Sequence, residues 1–192
     1  MRVFIGLDIP DPIRAAIARY LDGLRNFADV RWVRPESFHV TLKFIGEQKP
    51  EQVEQIQREL TAIKAAPFGI AFRDTGFFPN AKHPRVFWVG IHAPDALTQL
   101  AAAVDEAVGR TGVPRESNAY RPHLTLARSG SGRPHDRPGD RADTGLRRLS
   151  DKLQPLPPPD FGTMTAREFF LYESQLSPSG ARYSKLQAFP LG

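Results

Sequence analysis

Two short stretches share one pattern of side chains. His39-Val40-Thr41-Leu42 and His123-Leu124-Thr125-Leu126 both read histidine, apolar, threonine, apolar. Each comes after an Arg-Pro pair, Arg34-Pro35 a few residues upstream of the first and Arg121-Pro122 directly before the second. Imidazole has an unperturbed pKa of about 6.5, so two histidines in opposite protonation states supply a base and an acid together. A threonine two residues on shares its histidine's face of a strand. Its hydroxyl can donate to nonbridging phosphate oxygens, where charge gathers in a transition state. A lone histidine opening a strand is ordinarily a packing or surface residue. Recurrence in matched context points instead to one joint site for acid–base chemistry on a phosphate ester. His83, His92 and His135 lack that context and read as surface or packing residues.

The elements that must position these residues can be read from periodicity. Residues 2–9 read as a strand, and Pro10 and Pro12 introduce a helix with Ile13, Ala16, Ile17, Tyr20, Leu21 and Leu24 on one face. The first motif strand lies within 31–45. Strict alternation puts Val40, Leu42 and Phe44 in the core and His39, Thr41 and Lys43 on an open face. A second helix starts at Pro50, with Val53, Ile56, Leu60 and Ile63 buried. Strands are expected over 67–78, bending near Gly76, and over 86–91. A third helix runs from Pro94-Asp95 to about Arg110, and the second motif strand covers 123–127. The Gly-, Pro- and Arg-rich stretch 129–145 reads as an exposed loop. A short helix over 146–153, one long extended stretch over 161–175 and a final turn and strand complete the chain. Each half thus holds a helix, an apolar strand and a histidine motif. Two α+β lobes related by rough internal symmetry would put the motifs on opposite walls of a groove.

Composition removes several alternatives. The chain has 192 residues and no cysteine, which excludes disulfides, cysteine nucleophiles and thiolate metal sites. The net charge of +5 favours a polyanionic partner, and residues 121–148 concentrate it with seven arginines against three aspartates. The opening MRVFIGLDIPDP does not read as a signal peptide, and no apolar run approaches the ~20 residues that cross a bilayer. A soluble cytoplasmic protein is the expectation.

FHVTLKFIGE at 38–47, YRPHLTLAR at 120–128 and LYESQLSPSGARYSKLQAFPL at 171–191 resemble the 2H phosphoesterase superfamily, and within it the RNA 2′,3′-cyclic phosphodiesterases historically named 2′-5′ RNA ligases. The opening RVFIGLDIP is similar to that family's start, and the likeness spans nearly the whole chain. The resemblance implies one bilobal domain over 1–192, with antiparallel sheets and outer helices around a central cleft. It implies metal-independent catalysis without a cofactor. The reaction would open an RNA-terminal 2′,3′-cyclic phosphate to a 2′-phosphomonoester. His39 would be the proton donor, His123 the proton acceptor, and Thr41 and Thr125 the phosphate clamp; the residues alone do not say which histidine takes which role. Arg128 is similar to a basic phosphate-binding residue of the family, although strict alternation points it away from His123. Lys43 is expected to contact RNA by its parity. Phe44 reads as core or, alternatively, as a nucleobase platform.

Two other readings compete. A 5′-hydroxyl could replace water and run the reverse reaction, 2′-5′ ligation, but water is abundant and a second RNA end is scarce. Noncatalytic RNA binding gives no reason for twin His-x-Thr motifs, and no alternating aromatic and basic signature supports it. A metallohydrolase would need more clustered ligands than two distant histidines. The RNA itself is not legible; transfer RNA fragments are among those that present a cyclic end. Two internal lobes make a monomer sufficient.

Overall fold

The computed structural model of the chain describes residues 1–130 and 142–192. Strand β1 (Arg2–Leu7) leads through α1 (Asp11–Asp22) and the short β2 (Arg31–Trp32) to β3 (Val40–Glu47). Next come α2 (Pro50–Thr61), β4 (Phe68–Phe78), β5 (Val86–His92) and α3 (Asp95–Gly109). The chain then forms β6 (His123–Arg128), α4 (Ala142–Leu153), β7 (Asp160–Ala166), β8 (Glu168–Ser177) and β9 (Gly180–Pro190). Proline in the first turn starts both α1 and α2, where its missing N–H costs nothing. The expected stripes are buried: Ile13, Ile17 and Leu21; Val53, Ile56 and Leu60; Leu97, Leu100, Val104 and Val108.

The strands form two antiparallel sheets, ordered β3-β1-β8-β9 and β2-β6-β5-β4-β7. This is the α+β architecture expected, one sheet per motif. The lobes are not the two halves of the sequence, however. The first sheet joins β1 and β3 to β8 and β9 from the other end of the chain. Helix α1, which comes after β1 of the first sheet, contacts β7 of the second, and α3, which comes after β5 of the second, contacts β3 of the first. One buried apolar cluster therefore runs through both, from Ile5, Ile17 and Val40 to Phe72, Leu124 and Leu149.

Two sequence expectations change. The extended stretch 161–175 is two strands broken at Arg167: β7 pairs with β4 in one sheet, β8 with β1 in the other. Helix α4 begins at Ala142, inside the stretch read as a loop. Residues 131–141, with His135, lie outside the described residues.

Candidate active site

Both motif strands are irregular at the same place. On β3, Thr41 stands opposite Gly6 and Lys43 opposite Ile5, so Leu42 is an extra residue. On β6, Thr125 stands opposite Trp88 and Ala127 opposite Phe87, so Leu126 is extra. Each bulge falls three residues after its histidine and reverses the inside–outside parity of the residues beyond it. Strict alternation therefore fails in both strands. Lys43 is not on the histidine face: its side chain is 4% exposed, and its Nζ donates to the Asp105 carboxylate at 2.6 Å and to the Pro114 carbonyl at 3.1 Å. That removes it from RNA contact. Phe44 is not core: it is 64% exposed and lines the cleft. Arg128 is turned into the cleft beside His123 and Thr125.

The cleft is a cavity of about 380 Å³. It gathers His39, Thr41 and Phe44 from one wall, His123, Thr125 and Arg128 from the other, with Arg2 and Tyr183 at its rim. The two histidines feel each other's charge: a proton on His123 disfavours one on His39.

His39 is held at both ring nitrogens. Nδ1 lies 2.8 Å from the Ser37 carbonyl oxygen, which can only accept, so Nδ1 carries the proton. In the neutral ring, Nε2 then accepts from the Thr41 hydroxyl at 2.9 Å. Phe4 at 4.7 Å and Tyr183, edge-on at 5.1 Å between ring centroids, enclose the imidazole, with Tyr172 at 6.3 Å behind. Burial is the main cause that drives its pKa down, to about 4; the Ser37 carbonyl and Asp8 oppose this, and His123 and Arg128 add to it. Gly6 makes the fit: a Cβ there would sit 2.9 Å from the Val40 carbonyl and 3.5 Å from the His39 ring. The turn before His39 is pinned from α1, because Arg14 donates to the Pro35 carbonyl and to Asp8, the latter at 2.8 Å.

His123 repeats the arrangement with less around it. Its Nδ1 donates to the Arg121 carbonyl at 2.7 Å, again presenting the opposite nitrogen, and Phe78 meets its ring edge-on at 4.9 Å. Burial lowers its pKa too; the Arg121 carbonyl opposes this and Arg128 reinforces it. One strut ties the two walls: the half-buried Tyr120 hydroxyl donates to the Thr41 carbonyl at 2.9 Å. Among the described residues, no group of three or more His, Asp or Glu side chains could hold a metal ion. His92 pairs with Asp74 at 2.9 Å, and neither lines the cleft.

Sequence reasoning named the paired motifs and Arg128, and missed Arg2, Tyr183 and the aromatic enclosure of His39. A usable signal existed. Arg-Val-Phe opens both 2–11 (RVFIGLDIPD) and 85–95 (RVFWVGIHAPD), a second internal repeat that marks β1 and β5 as equivalent neighbours of the motif strands.

The same duplication decides the family. The pattern of the family described as LigT like Phosphoesterase matches residues 7–88 and again 89–183. The chain belongs to this family. Among relatives of this LigT-like phosphoesterase, the RNA 2′,3′-cyclic phosphodiesterase of Archaeoglobus fulgidus is 33% identical over 189 residues, covering 98% of this chain and 99% of the relative. That of Methanothermobacter thermautotrophicus is 32% identical over 195 residues, covering 100% and 99%. E. coli LigT complexed with 3′-AMP superposes with a TM-score of 0.78 at 26% identity, over 99% of this chain and 97% of that one. TT0787 of Thermus thermophilus gives 0.77 at 28% identity, over 100% and 98%.

Proposed function

We propose that this phosphoesterase hydrolyses RNA-terminal 2′,3′-cyclic phosphates to 2′-phosphomonoesters without a metal. The observation that carries this is the pair of His-x-Thr walls lining one cavity together with Arg128. In-line displacement at phosphorus needs the attacking and leaving oxygens on opposite sides. Histidines on opposing walls meet that requirement. In this reading His123 takes a proton from water, the water oxygen bonds to phosphorus, the P–O3′ bond breaks, and His39 gives its Nε2 proton to the departing 3′ oxygen. Burial, reinforced by Arg128, favours the neutral form of His123 that a base needs. His39 is also neutral in the free site and must gain a proton as substrate binds. The phosphate's negative charge offsets Arg128, and Asp8 already favours the imidazolium there.

Protonation of His39 also changes Thr41. Once Nε2 carries a proton, the Thr41 hydroxyl no longer donates to it and is released to the phosphate. Thr125 holds the matching position on the other wall and Arg128 neutralises the phosphate. One chain supplies the whole cleft, so a monomer suffices. In this reading its substrates are RNA ends, transfer RNA fragments among them, and its work is RNA processing in the cytoplasm. No helix among the described residues is long and apolar enough to cross a membrane.

The test is a short RNA ending in a 2′,3′-cyclic phosphate, incubated without ATP or added metal, with the product terminus resolved. A 2′-phosphate is expected. A 3′-phosphate would overturn the direction of opening, and no turnover would overturn the reaction.

A further inference from the structure

The β3-β1-β8-β9 sheet carries a second, aromatic cluster apart from the shared core: Phe4, Phe170 and Tyr172 are buried there, with Tyr183 packed against them. Strand β8 pairs with β1 only as far as Glu173, whereas its pairing with β9 continues to Ser177 opposite Gly180. The far part of the β8–β9 hairpin is therefore not held to β1 by strand pairing. Tyr183, opposite Ser174, lies in this part, and its ring meets Phe4 edge-on at 4.9 Å and His39 at 5.1 Å. The Ser37 hydroxyl donates to the Ala181 carbonyl at 3.3 Å and ties the hairpin to the turn before His39.

These contacts account for the ring of Tyr183 but not for its hydroxyl. On the other wall Phe78 meets His123 edge-on at an interplanar angle of 88°, the same angle that Tyr183 makes with His39. Phenylalanine thus suffices to enclose a catalytic imidazole. A phenol is costlier to bury than a phenyl ring unless its O–H finds a partner. Among the described residues the Tyr183 hydroxyl has no hydrogen-bond partner, although Tyr183 lines the cleft with Thr41, Thr125 and Arg128. Burial raises its pKa, with Arg128 and Arg2 opposing, so at neutral pH it is a donor. The two charges that act on it are guanidiniums, which only donate. Donors gathered in this way are satisfied together by an anionic oxygen. We propose that the Tyr183 hydroxyl donates to a nonbridging oxygen of the cyclic phosphate, as a third hydroxyl beside those of Thr41 and Thr125. The inference rests on the cyclic phosphodiesterase reading above and adds a catalytic residue to it. The bond strengthens as charge gathers on that oxygen, so it favours the transition state over the bound substrate.

The experiment compares the wild type, Y183F and Y183L in two ways. One is kcat/KM against pH on a short RNA ending in a 2′,3′-cyclic phosphate. The other is calorimetric affinity for inorganic phosphate, which needs no turnover. Y183F keeps the ring and should lose about 10-fold in kcat/KM, the scale of one hydrogen bond to a charged group. Its affinity for inorganic phosphate should fall by about 5-fold for the same reason. Its pH profile should retain the wild-type pKa values, because His39 stays enclosed. Y183L also opens His39 to water and relieves the burial that lowers its pKa, so in that variant the His39 limb should move up. A Y183F variant with wild-type kcat/KM and phosphate affinity would reduce Tyr183 to a packing ring and overturn the proposal. A Y183F profile that shifts as that of Y183L does would assign the loss to the surroundings of His39 and overturn it as well. If the wild type leaves the RNA uncleaved while Y183F still binds phosphate more weakly, the phosphate contact stands and the cyclic phosphodiesterase reading fails.

Discussion

Strands β3 and β6 carry the same triplet and the same bulge, yet they end in different chemistry. Up to the bulge they are near copies: a histidine whose Nδ1 donates to the carbonyl two residues before it, then a threonine on the same face. Beyond it they diverge. At the fourth position Lys43 is locked to Asp105 while Ala127 is simply buried, and at the fifth an aromatic ring stands against a guanidinium. The divergence comes from location. β6 lies between β2 and β5 inside its sheet, whereas β3 is an edge strand. An edge needs covering, and the Lys43–Asp105 pair and the Tyr120 hydroxyl on the Thr41 carbonyl supply that cover from α3 and from the segment before β6. The features common to the two walls fit the reaction; those that differ fit the orientation of the substrate.

The sharpest way to break this comparison is to remove each imidazole in turn. H39A and H123A should each lose at least ~100-fold in kcat while staying folded, the scale of general acid–base catalysis. Single-turnover rates and circular dichroism together check it, and a variant with normal turnover would remove its histidine from the mechanism. Next in size is K43M, which leaves the buried Asp105 carboxylate with only the exposed Arg115 and the Glu116 amide and should cost about 2 kcal/mol of stability in urea unfolding. Burial alone would raise the Asp105 pKa, but Lys43, the Glu116 amide and Arg115 hold it down at about 2. The double variant K43M/D105L should regain most of the loss. If it does not, the pair is not what secures β3.

R128Q should lower kcat/KM by about 10-fold, as loss of a charge-assisted hydrogen bond does. It should also move the pH profile. Arg128 depresses both histidines, so the apparent pKa values in kcat/KM should rise in the variant. A profile that stays fixed would mean that Arg128 does not reach the imidazoles. The smallest effect concerns stability against pH. A histidine with a depressed folded pKa binds its proton more readily when unfolded, so its contribution is complete above about pH 6.5. It is lost as pH falls through that value toward the folded pKa of about 4. Urea midpoints should therefore drop over this window, and H39Q should flatten the slope; an equal slope in H39Q would place the effect elsewhere.

The motif residues were legible because each triplet is short and read within one strand, and the helices because their stripes repeat over several turns. Lys43, Phe44 and Arg128 were misdirected because a bulge is a property of two paired strands, and the period of one strand does not record it. The break at Arg167 was hidden for a related reason: β7 and β8 are both extended, and only their partners, β4 and β1, separate them. Arg2 was overlooked as a residue of an opening strand, although the alternation that buries Val3 and Ile5 already sets it on the other face with Phe4.

The placing of β8 and β9 beside β1 has a consequence for the protein's own synthesis. The ribosome releases residues from the amino end onward, so His39, Thr41, His123, Thr125 and Arg128 all emerge before Tyr172 and Tyr183. Two of the rings that enclose His39, and the partner strand that β1 needs on its second side, follow all of these in the chain. A nascent chain, made in the midst of RNA, thus carries both imidazoles while one of them is still bathed in water, and its wall of the cleft closes only after β8 and β9 have emerged.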